Sequence, residues 1–89
     1  MEKFVVFGEY CKDAINKREP FREQHLNRLK SLKDRNILVT LGPTKCTKYL
    51  FGIFNANDGN ELKDIIEEDI YWENGIWINY EIYPWIQVF

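Results

Sequence analysis

The sequence has few of the side chains that metal centres and disulfide frameworks require. Its 89 residues include one histidine, His25, and two cysteines, Cys11 and Cys46, which are far apart in the chain. Zinc sites draw on paired cysteines or several histidines, and disulfide-stabilised small domains contain more cysteines. We therefore expect no metal site and two reduced thiols in a cytoplasmic protein. No motif for a redox cofactor is present, and we expect no cofactor.

Long apolar runs and an excess of positive charge are also lacking. No apolar stretch approaches the ~20 residues that a membrane-spanning helix needs, and the run near the N-terminus is too short for a signal peptide. The 12 Lys+Arg residues are outnumbered by 14 Asp+Glu, which gives a formal net charge of -2. Such a balance provides no general attraction to phosphate backbones or anionic lipid. We therefore expect neither nucleic acid nor a membrane as partner.

Apolar and aromatic residues are plentiful, at 45% and 16% of the chain. This is enough for a core and excludes a disordered chain. The length predicts a single domain over residues 1–89. A domain of this size buries only about 60–65% of the surface that its unfolded chain exposes. The aromatic excess therefore favours a partner subunit or a lined pocket.

Hydrophobic periodicity predicts four strands, over residues 4–7, 37–41, 49–54 and 76–83. A first helix is predicted after Pro20, because Phe21, His25, Leu29 and Leu32 recur at spacings of four, four and three. A second helix, capped by Asn57 or Asp58, has one face formed by Leu62, Ile65, Ile66 and Asp69. The predicted order is strand–helix–strand–strand–helix–strand. This is the ferredoxin-like βαββαβ plan of the α+β class, a four-stranded antiparallel sheet with two helices on one face.

Both faces of the predicted sheet are apolar. Val5 and Val6 are adjacent in the first strand, as are Leu50 and Phe51 in the third. Successive side chains of a strand point to opposite faces, and the helices cover only one of them. We therefore expect a homodimer in which the open sheet face packs against a second copy.

His25 and Asp69 are polar residues on otherwise apolar helix faces, the latter at or just past the end of its helix. A carboxylate that accepts an imidazole N–H fixes the tautomer, so that the other ring nitrogen can act as a general base. The negative end of the helix dipole at Asp69 would also favour an imidazolium nearby. The alternative is a buried histidine satisfied by the backbone and an unrelated acid at a frayed helix end.

Several short motifs follow one another along the chain: Phe4-Val5-Val6-Phe7, Arg22 three residues before His25-Leu26, Leu41-Gly42-Pro43, Asp69-Ile70-Tyr71, Gly75-Ile76 and Tyr83-Pro84-Trp85. In this order and spacing they resemble the YCII-related domain family, over nearly the whole chain. The resemblance implies a dimeric ferredoxin-like (α+β barrel) fold. Most such proteins have no assigned reaction, and a few relatives act on chlorinated or hydroxylated aromatic rings.

The resemblance also implies an active site. Its catalytic pair is carried here by His25 and Asp69, and its substrate-binding positions are matched by Arg22, Gly42, Pro43 and Tyr71. The family usually has a proline directly after the aspartate, where this chain has Ile70. That difference leaves the backbone after Asp69 less restricted.

Other residues have two interpretations each. Arg22 is either a solvated helix residue or a bidentate ligand for an anionic substrate group. Tyr71 and Trp72 either line a pocket or pack in the core or an interface. Cys46, close to Lys45 and Lys48, would have a lowered pKa, but a nucleophilic role requires a nearby base and only His25 is available.

Two functions of different classes are compatible with these observations. The first is a small cytoplasmic enzyme in which His25, oriented by Asp69, performs general acid/base chemistry (proton transfer, elimination or isomerisation) on a small organic substrate, organic acids and ring compounds included. The second is a non-catalytic small-molecule-binding or structural dimer module. A His25–Asp69 hydrogen bond beside an open cavity would favour the enzyme, and a filled site would favour the module.

RNA binding is a further alternative, because RNA recognition domains share this order of strands and helices. Residues 48–54 partly resemble the third-strand signature of those domains. The first glycine of the signature is absent, however, and the aromatic residues are out of step. Together with the acidic balance of the chain, these differences argue against RNA binding.

Overall fold

The computed structural model describes residues 1–89. Its strands are β1 (Glu2–Tyr10), β2 (Leu38–Pro43), β3 (Tyr49–Ala56) and β4 (Trp77–Trp85). Its helices are α1 (Ala14–Lys17), α2 (Arg22–Asp34), α3 (Gly59–Glu67) and α4 (Ile70–Glu73), and a 3-10 turn at Glu19–Phe21 leads into α2. None of these helices combines the length and the apolar character needed to cross a membrane.

The four strands form one antiparallel sheet in the order β2-β3-β1-β4. β1 and β3 are therefore the central strands, and each α-helical crossover connects strands that are not neighbours. This arrangement confirms the predicted ferredoxin-like α+β fold.

One face of the sheet packs against the helices and forms the core. The alternation of side chains along β1 and β3 directs Phe4, Val6, Leu50 and Phe54 to this face. They belong to one cluster of buried residues together with helix residues Leu32, Leu62 and Ile66. A cap at the start of α3 helps to position this layer, because the Asp58 carboxylate accepts the Glu61 N–H at 2.8 Å.

The opposite face, here called the open sheet face, is uncovered and has an apolar centre, with Lys3, Glu9, Asn79 and Glu81 around it. It presents Val5, Phe7, Tyr49, Phe51, Ile53 and Tyr83. Phe7 is 49% exposed, and its ring lies 5.3 Å from that of Phe51 and 6.4 Å from that of Tyr83. The expectation that both faces of the sheet are apolar is therefore confirmed.

The structure shifts the predicted ends of the strands by up to three residues and the start of the first helix by two. β1 continues past Gly8 to Tyr10, and Gly8 is required by a close approach, since a Cβ there would lie 2.9 Å from the backbone oxygen of Asn79. The predicted first helix begins two residues later than Pro20, which lies in the 3-10 turn.

A bulge in β4 changes the predicted alternation of that strand. Glu9 pairs with Asn79 and Tyr10 pairs with Trp77, so Ile78 is an extra residue on β4. Trp77 is consequently buried on the helix side, and Ile78 is exposed. Our prediction that Ile78 shares a face with the later isoleucine of the strand was wrong, because period-2 alternation fails at a bulge.

Candidate active site

His25 and Asp69 form a buried hydrogen bond. His25 lies on the inner face of α2, and Asp69 lies in the short connection between α3 and α4. The Nδ1 of His25 is 2.7 Å from the Oδ1 of Asp69. Since a carboxylate can only accept, Nδ1 carries the proton.

The Asp69 carboxylate is held from three directions. Besides His25, the backbone N–H of Tyr71 donates to Oδ1 at 2.9 Å, and Arg28 Nη1 donates to Oδ2 at 3.0 Å. Asp69 is thus the N-cap of α4, at the start of a helix, and not only a residue after the end of α3. Asp69 therefore lies at the positive end of α4 as well as after the negative end of α3, and the prediction that the helix dipole there favours an imidazolium was incomplete. The direct contacts fix the carboxylate although Ile70 replaces the usual proline.

Protonation at Nδ1 leaves the second nitrogen of His25, Nε2, with a free lone pair. Nε2 has no hydrogen-bond partner within the chain and retains accessible surface. The ring is fixed by aromatic contacts, stacked on Tyr71 with centroids 3.6 Å apart and edge-on to Trp77 at 5.2 Å. These contacts and the Asp69 hydrogen bond hold the imidazole in one orientation with one basic nitrogen available.

A cavity of about 160 Å³ lies beside the imidazole. Its lining residues come from β1, the turn before α2, α2 itself, β2 and α4: Tyr10, Arg18, Arg22, His25, Leu26, Leu29, Leu41, Gly42, Pro43 and Tyr71. Asp69 is not among them, and therefore contacts the ring from behind. An imidazole thus faces the cavity, and the carboxylate that orients it is shielded from the cavity, which is the geometry that general base catalysis requires.

The lining of this cavity is positively charged although the chain as a whole is acidic. Arg18 and Arg22 contribute guanidinium groups, no acidic side chain belongs to the lining, and neither arginine forms a salt bridge within the chain. Burial raises the pKa of the Tyr71 and Tyr10 phenols, and both guanidinium charges act in the opposite direction. Both phenols therefore remain neutral hydrogen-bond donors at neutral pH.

Comparison with known proteins gives the family of the chain. The YCII-related domain family model matches residues 2–86. The chain belongs to the YCII-related domain family. A protein of Haemophilus influenzae (strain ATCC 51907 / DSM 11121 / KW20 / Rd), described only as uncharacterized, is 30% identical over 96 residues, which cover 97% of this chain and 98% of that protein.

A solved structure shares the fold of this YCII-related protein. It is 5-chloro-2-hydroxyhydroquinone dehydrochlorinase (TftG) from Burkholderia phenoliruptrix AC1100, in complex with 2,5-dihydroxybenzoquinone. The TM-score is 0.80 at 20% sequence identity, and the match covers 94% of this chain and 93% of that chain.

The structure brings the site residues predicted from the sequence together. Arg22, His25, Gly42, Pro43 and Tyr71 line the one cavity, and the sixth, Asp69, binds His25. Gly42 borders open space, since a Cβ at this position would meet no atom within 4 Å.

Trp72 and Cys46 lie elsewhere. Trp72 packs edge-on against Tyr80, with ring centroids 5.2 Å apart, and does not line the cavity. Cys46 belongs to a separate, larger cavity of about 480 Å³ that contains neither His25 nor Asp69. The hydrogen bond with Thr44 lowers the pKa of the Cys46 thiol, but no histidine lies beside it. The structure holds no group of three or more metal-ligating side chains.

Four residues of the site were not predicted from the sequence. Arg28 follows His25 by three residues, a spacing that places both on one side of a helix and was a usable signal. Tyr10 and Arg18 lie at the end of β1 and in the turn before α2, where no periodicity marks a side chain as inward. Trp77 reaches the site only because of the bulge in β4.

Proposed function

We propose that this protein is an enzyme that uses His25 as a general acid/base, oriented by Asp69, on a small organic substrate. The observation that carries the proposal is the 2.7 Å contact between Nδ1 and Asp69, with Nε2 left accessible beside a cavity. The supported chemistry is proton transfer, elimination or isomerisation, because these reactions require only a positioned base and acid.

The geometry suggests how such a step would proceed. Nε2 takes a proton from the bound substrate, and the resulting imidazolium is stabilised by Asp69, which itself stays ionised. The same nitrogen then returns the proton to another atom of the substrate or to a leaving group. General acid/base catalysis of this type supplies roughly 10²–10⁴-fold in rate.

TftG gives this proposal a chemical precedent. Its name describes the removal of hydrogen chloride from a hydroxylated, chlorinated ring, which is an elimination. Because the shared fold is accompanied by only 20% identity, we take from it the class of reaction and not the substrate. Small hydroxylated rings belong in the panel of compounds to be tested.

We also propose that the protein is a homodimer that packs through the open sheet face. Phe7, Phe51 and Tyr83 are 49%, 41% and 50% exposed, and the ring of Phe7 lies next to both of the others. A contiguous apolar patch of aromatic residues is typical of an interface that is buried in the assembly. A cytoplasmic setting and the absence of a nucleic-acid partner remain predictions from the sequence.

The proposed chemistry is tested by proton exchange in D2O. The protein is incubated with small carboxylic acids and with hydroxylated or chlorinated rings, including 5-chloro-2-hydroxyhydroquinone, and NMR follows deuterium incorporation and product formation. We expect catalysis with at least one compound, and a roughly 10²–10⁴-fold loss in His25→Gln. Asp69→Asn should also lose activity, while Arg35→Gln, which changes an exposed residue after α2, should behave as the unmodified protein.

Two results would count against an enzyme. Turnover that survives His25→Gln at the full rate would show that the histidine is not the base. Ligands that bind in the cavity without any exchange or turnover across the panel would support the non-catalytic binding module. Circular dichroism on each variant shows whether it is folded.

A further inference from the structure

We propose that Arg18, Arg22 and the hydroxyl of Tyr71 form a carboxylate-binding site at the cavity, so that the ligand of this protein is a small organic carboxylate. The inference names the substrate class of the proposed enzyme. That the ligand is also turned over rests on the proposed function, whereas its binding does not.

The two arginines are available for a ligand. They stand on either side of the 3-10 turn, Arg18 after α1 and Arg22 at the start of α2, and both line the cavity. Neither forms a salt bridge within the chain, and the Nε–H of Arg18 is buried without a hydrogen-bond partner. Buried donors are paired in the great majority of native structures, so this one points to an acceptor outside the chain.

Tyr71 provides a second, independent unpaired donor. The residue is 1% exposed, and no group of the chain accepts a hydrogen bond from its hydroxyl. Its ring is stacked on that of His25 at 3.6 Å, which fixes the hydroxyl relative to the base. Leaving a buried hydroxyl unpaired costs about 1–3 kcal/mol, and a bound acceptor would remove that cost.

The charges around the site favour an anion. The acidic residues nearest in sequence to the arginines, Glu19 and Glu23, are exposed. They line a second, outer cavity, which shares only Arg22 and Leu26 with the inner cavity beside His25. Asp69 lies behind the imidazole and is paired with Arg28. The inner cavity therefore presents two guanidinium groups without a compensating carboxylate.

The shape and the remaining lining favour an organic carboxylate over an inorganic anion. Guanidinium groups bind planar carboxylates with paired N–H donors. Three leucines, at positions 26, 29 and 41, offer an apolar wall for a carbon skeleton. The volume of about 160 Å³ is below the roughly 300–1,000 Å³ of typical ligand pockets, which limits the ligand to a small acid.

This site would also assist the proposed proton transfer. When Nε2 of His25 removes a proton from the carbon next to the carboxylate, the electron pair stays on the substrate as an enolate. The additional negative charge then develops beside two guanidinium groups and a phenol that are already in place. The step needs no oxidant or reductant, because only a proton is moved. Protonation of the enolate at another position completes an isomerisation.

Binding is tested by NMR titration with two acids and their neutral analogues. But-3-enoate and phenylacetate, which carry protons on the carbon next to the carboxylate, are compared with but-3-enamide and phenylacetamide. The side-chain Nε–H signals of Arg18 and Arg22 and the indole signal of Trp77 are followed. We expect both arginine signals to shift with the acids, and affinities at least tenfold lower for the amides. Equal affinities of acid and amide, or no binding of either acid at millimolar concentration, would overturn the inference.

Variants locate the site. Arg18→Gln, Arg22→Gln and Tyr71→Phe should each weaken carboxylate binding by roughly tenfold or more, since each removes one donor to a charged acceptor. Arg35→Gln lowers the net charge equally at an exposed position outside the cavity and should bind as the unmodified protein does. Equal weakening in Arg35→Gln would show that only the overall charge matters and would overturn the inference.

One further variant separates this inference from the proposed function. His25→Gln should lose proton exchange and should still bind the acids in preference to the amides, because both arginines remain. If the unmodified protein binds the acids but exchanges none of their protons, the carboxylate site is supported and the proposed enzyme is contradicted. Exchange that proceeds on neutral compounds and is unaffected by the arginine variants would support the enzyme and contradict the carboxylate site.

Discussion

Arg28 binds the carboxylate oxygen of Asp69 that His25 leaves free. Its Nη1 donates to Oδ2 at 3.0 Å, and its Nη2 donates to the backbone oxygen of Ile65 at 2.8 Å. One guanidinium on α2 thereby fixes both the orienting carboxylate and the last turns of α3. Arg28 is accordingly a positioning residue, because it touches the carboxylate behind the imidazole and does not line the cavity.

Removal of Arg28 should lower stability. Arg28→Gln is expected to reduce the free energy of unfolding by about 1–3 kcal/mol, since it leaves the buried Asp69 carboxylate with one charged partner fewer. Arg28→Lys should restore only part of this loss, because an ammonium lacks the planar fork that reaches both acceptors. Urea denaturation measures the difference.

A matched control lies on the same helix. Lys30 and Asp34 form an exposed ion pair four residues apart, and Lys30→Gln should cost no more than about 0.5 kcal/mol. If Arg28→Gln costs as little as Lys30→Gln, the contact with Asp69 does not hold the site together.

Helical spacing sufficed to predict that His25 and Asp69 face inward, but not how the carboxylate is held. The recurrence of apolar residues defines a face of α2 and of α3, and both residues fall on those faces. The path of the chain after Glu67 depends on the one-turn helix α4, which is too short to show a period. The contacts of Asp69 with Tyr71 and Arg28 therefore could not be predicted from spacing.

The residue after Asp69 should accept the proline that is usual in the family. Asp69 has φ -71° and ψ 138°, a conformation that suits a residue before proline, and Ile70 is the first residue of α4, where the N–H has no partner within the helix. Ile70→Pro should therefore change the free energy of unfolding by less than about 1 kcal/mol, with the gain in rigidity offset by the lost isoleucine contacts. Denaturation curves provide the measurement.

Glu73→Pro is the corresponding control. The Glu73 N–H donates to the backbone oxygen of Asp69 at 3.0 Å, so a proline there removes a hydrogen bond and should cost about 3 kcal/mol. A similar loss in Ile70→Pro would mean that the isoleucine side chain, and not the backbone, determines the position of Asp69.

The sheet illustrates a second limit of sequence reasoning. Runs of adjacent apolar residues predicted correctly that both of its faces are apolar. The bulge at Ile78 has no signal in the sequence, since it arises from the pairing of β4 with β1. Its consequence is local but important, because it turns Trp77 toward His25.

The proposed homodimer should dissociate when charge is placed on the open sheet face. Phe7→Glu and Phe51→Glu would each bury a carboxylate among aromatic rings at the interface, which is unfavourable without a partner. Sedimentation velocity at micromolar concentration should show twice the 10.7 kDa chain mass for the unmodified protein and the single-chain mass for both variants.

Leu26→Glu serves as the control for the dimer, because Leu26 is a similarly exposed apolar residue on α2, in the helical layer. It should leave the mass of the dimer unchanged. A stable monomer of the unmodified protein at micromolar concentration would contradict the dimer. The exposed aromatic residues would then require a different partner.

Alkaline pH should destabilise the fold through its buried phenols. Burial raises the pKa of Tyr80, and its hydrogen bond to Glu67, at 2.5 Å, raises it further. The folded pKa lies above the value of about 10 in the unfolded chain, so the folded state keeps a proton that the unfolded state loses. The contribution of Tyr80 to stability is therefore complete below pH 10 and is lost as the pH rises above it.

A comparison of two variants isolates this effect. The free energy of unfolding is measured by urea denaturation from pH 8 to pH 11. We expect Tyr80→Phe to be less stable than the unmodified protein at pH 8, because it lacks the hydrogen bond, but to lose less stability between pH 9 and pH 11. Tyr49→Phe, which removes a phenol from the open sheet face, should decline in parallel with the unmodified protein. The lysines titrate in the same range in all three proteins, so they cancel in the comparison. A decline of Tyr80→Phe parallel to that of the unmodified protein would show that the Glu67–Tyr80 contact does not keep the phenol protonated.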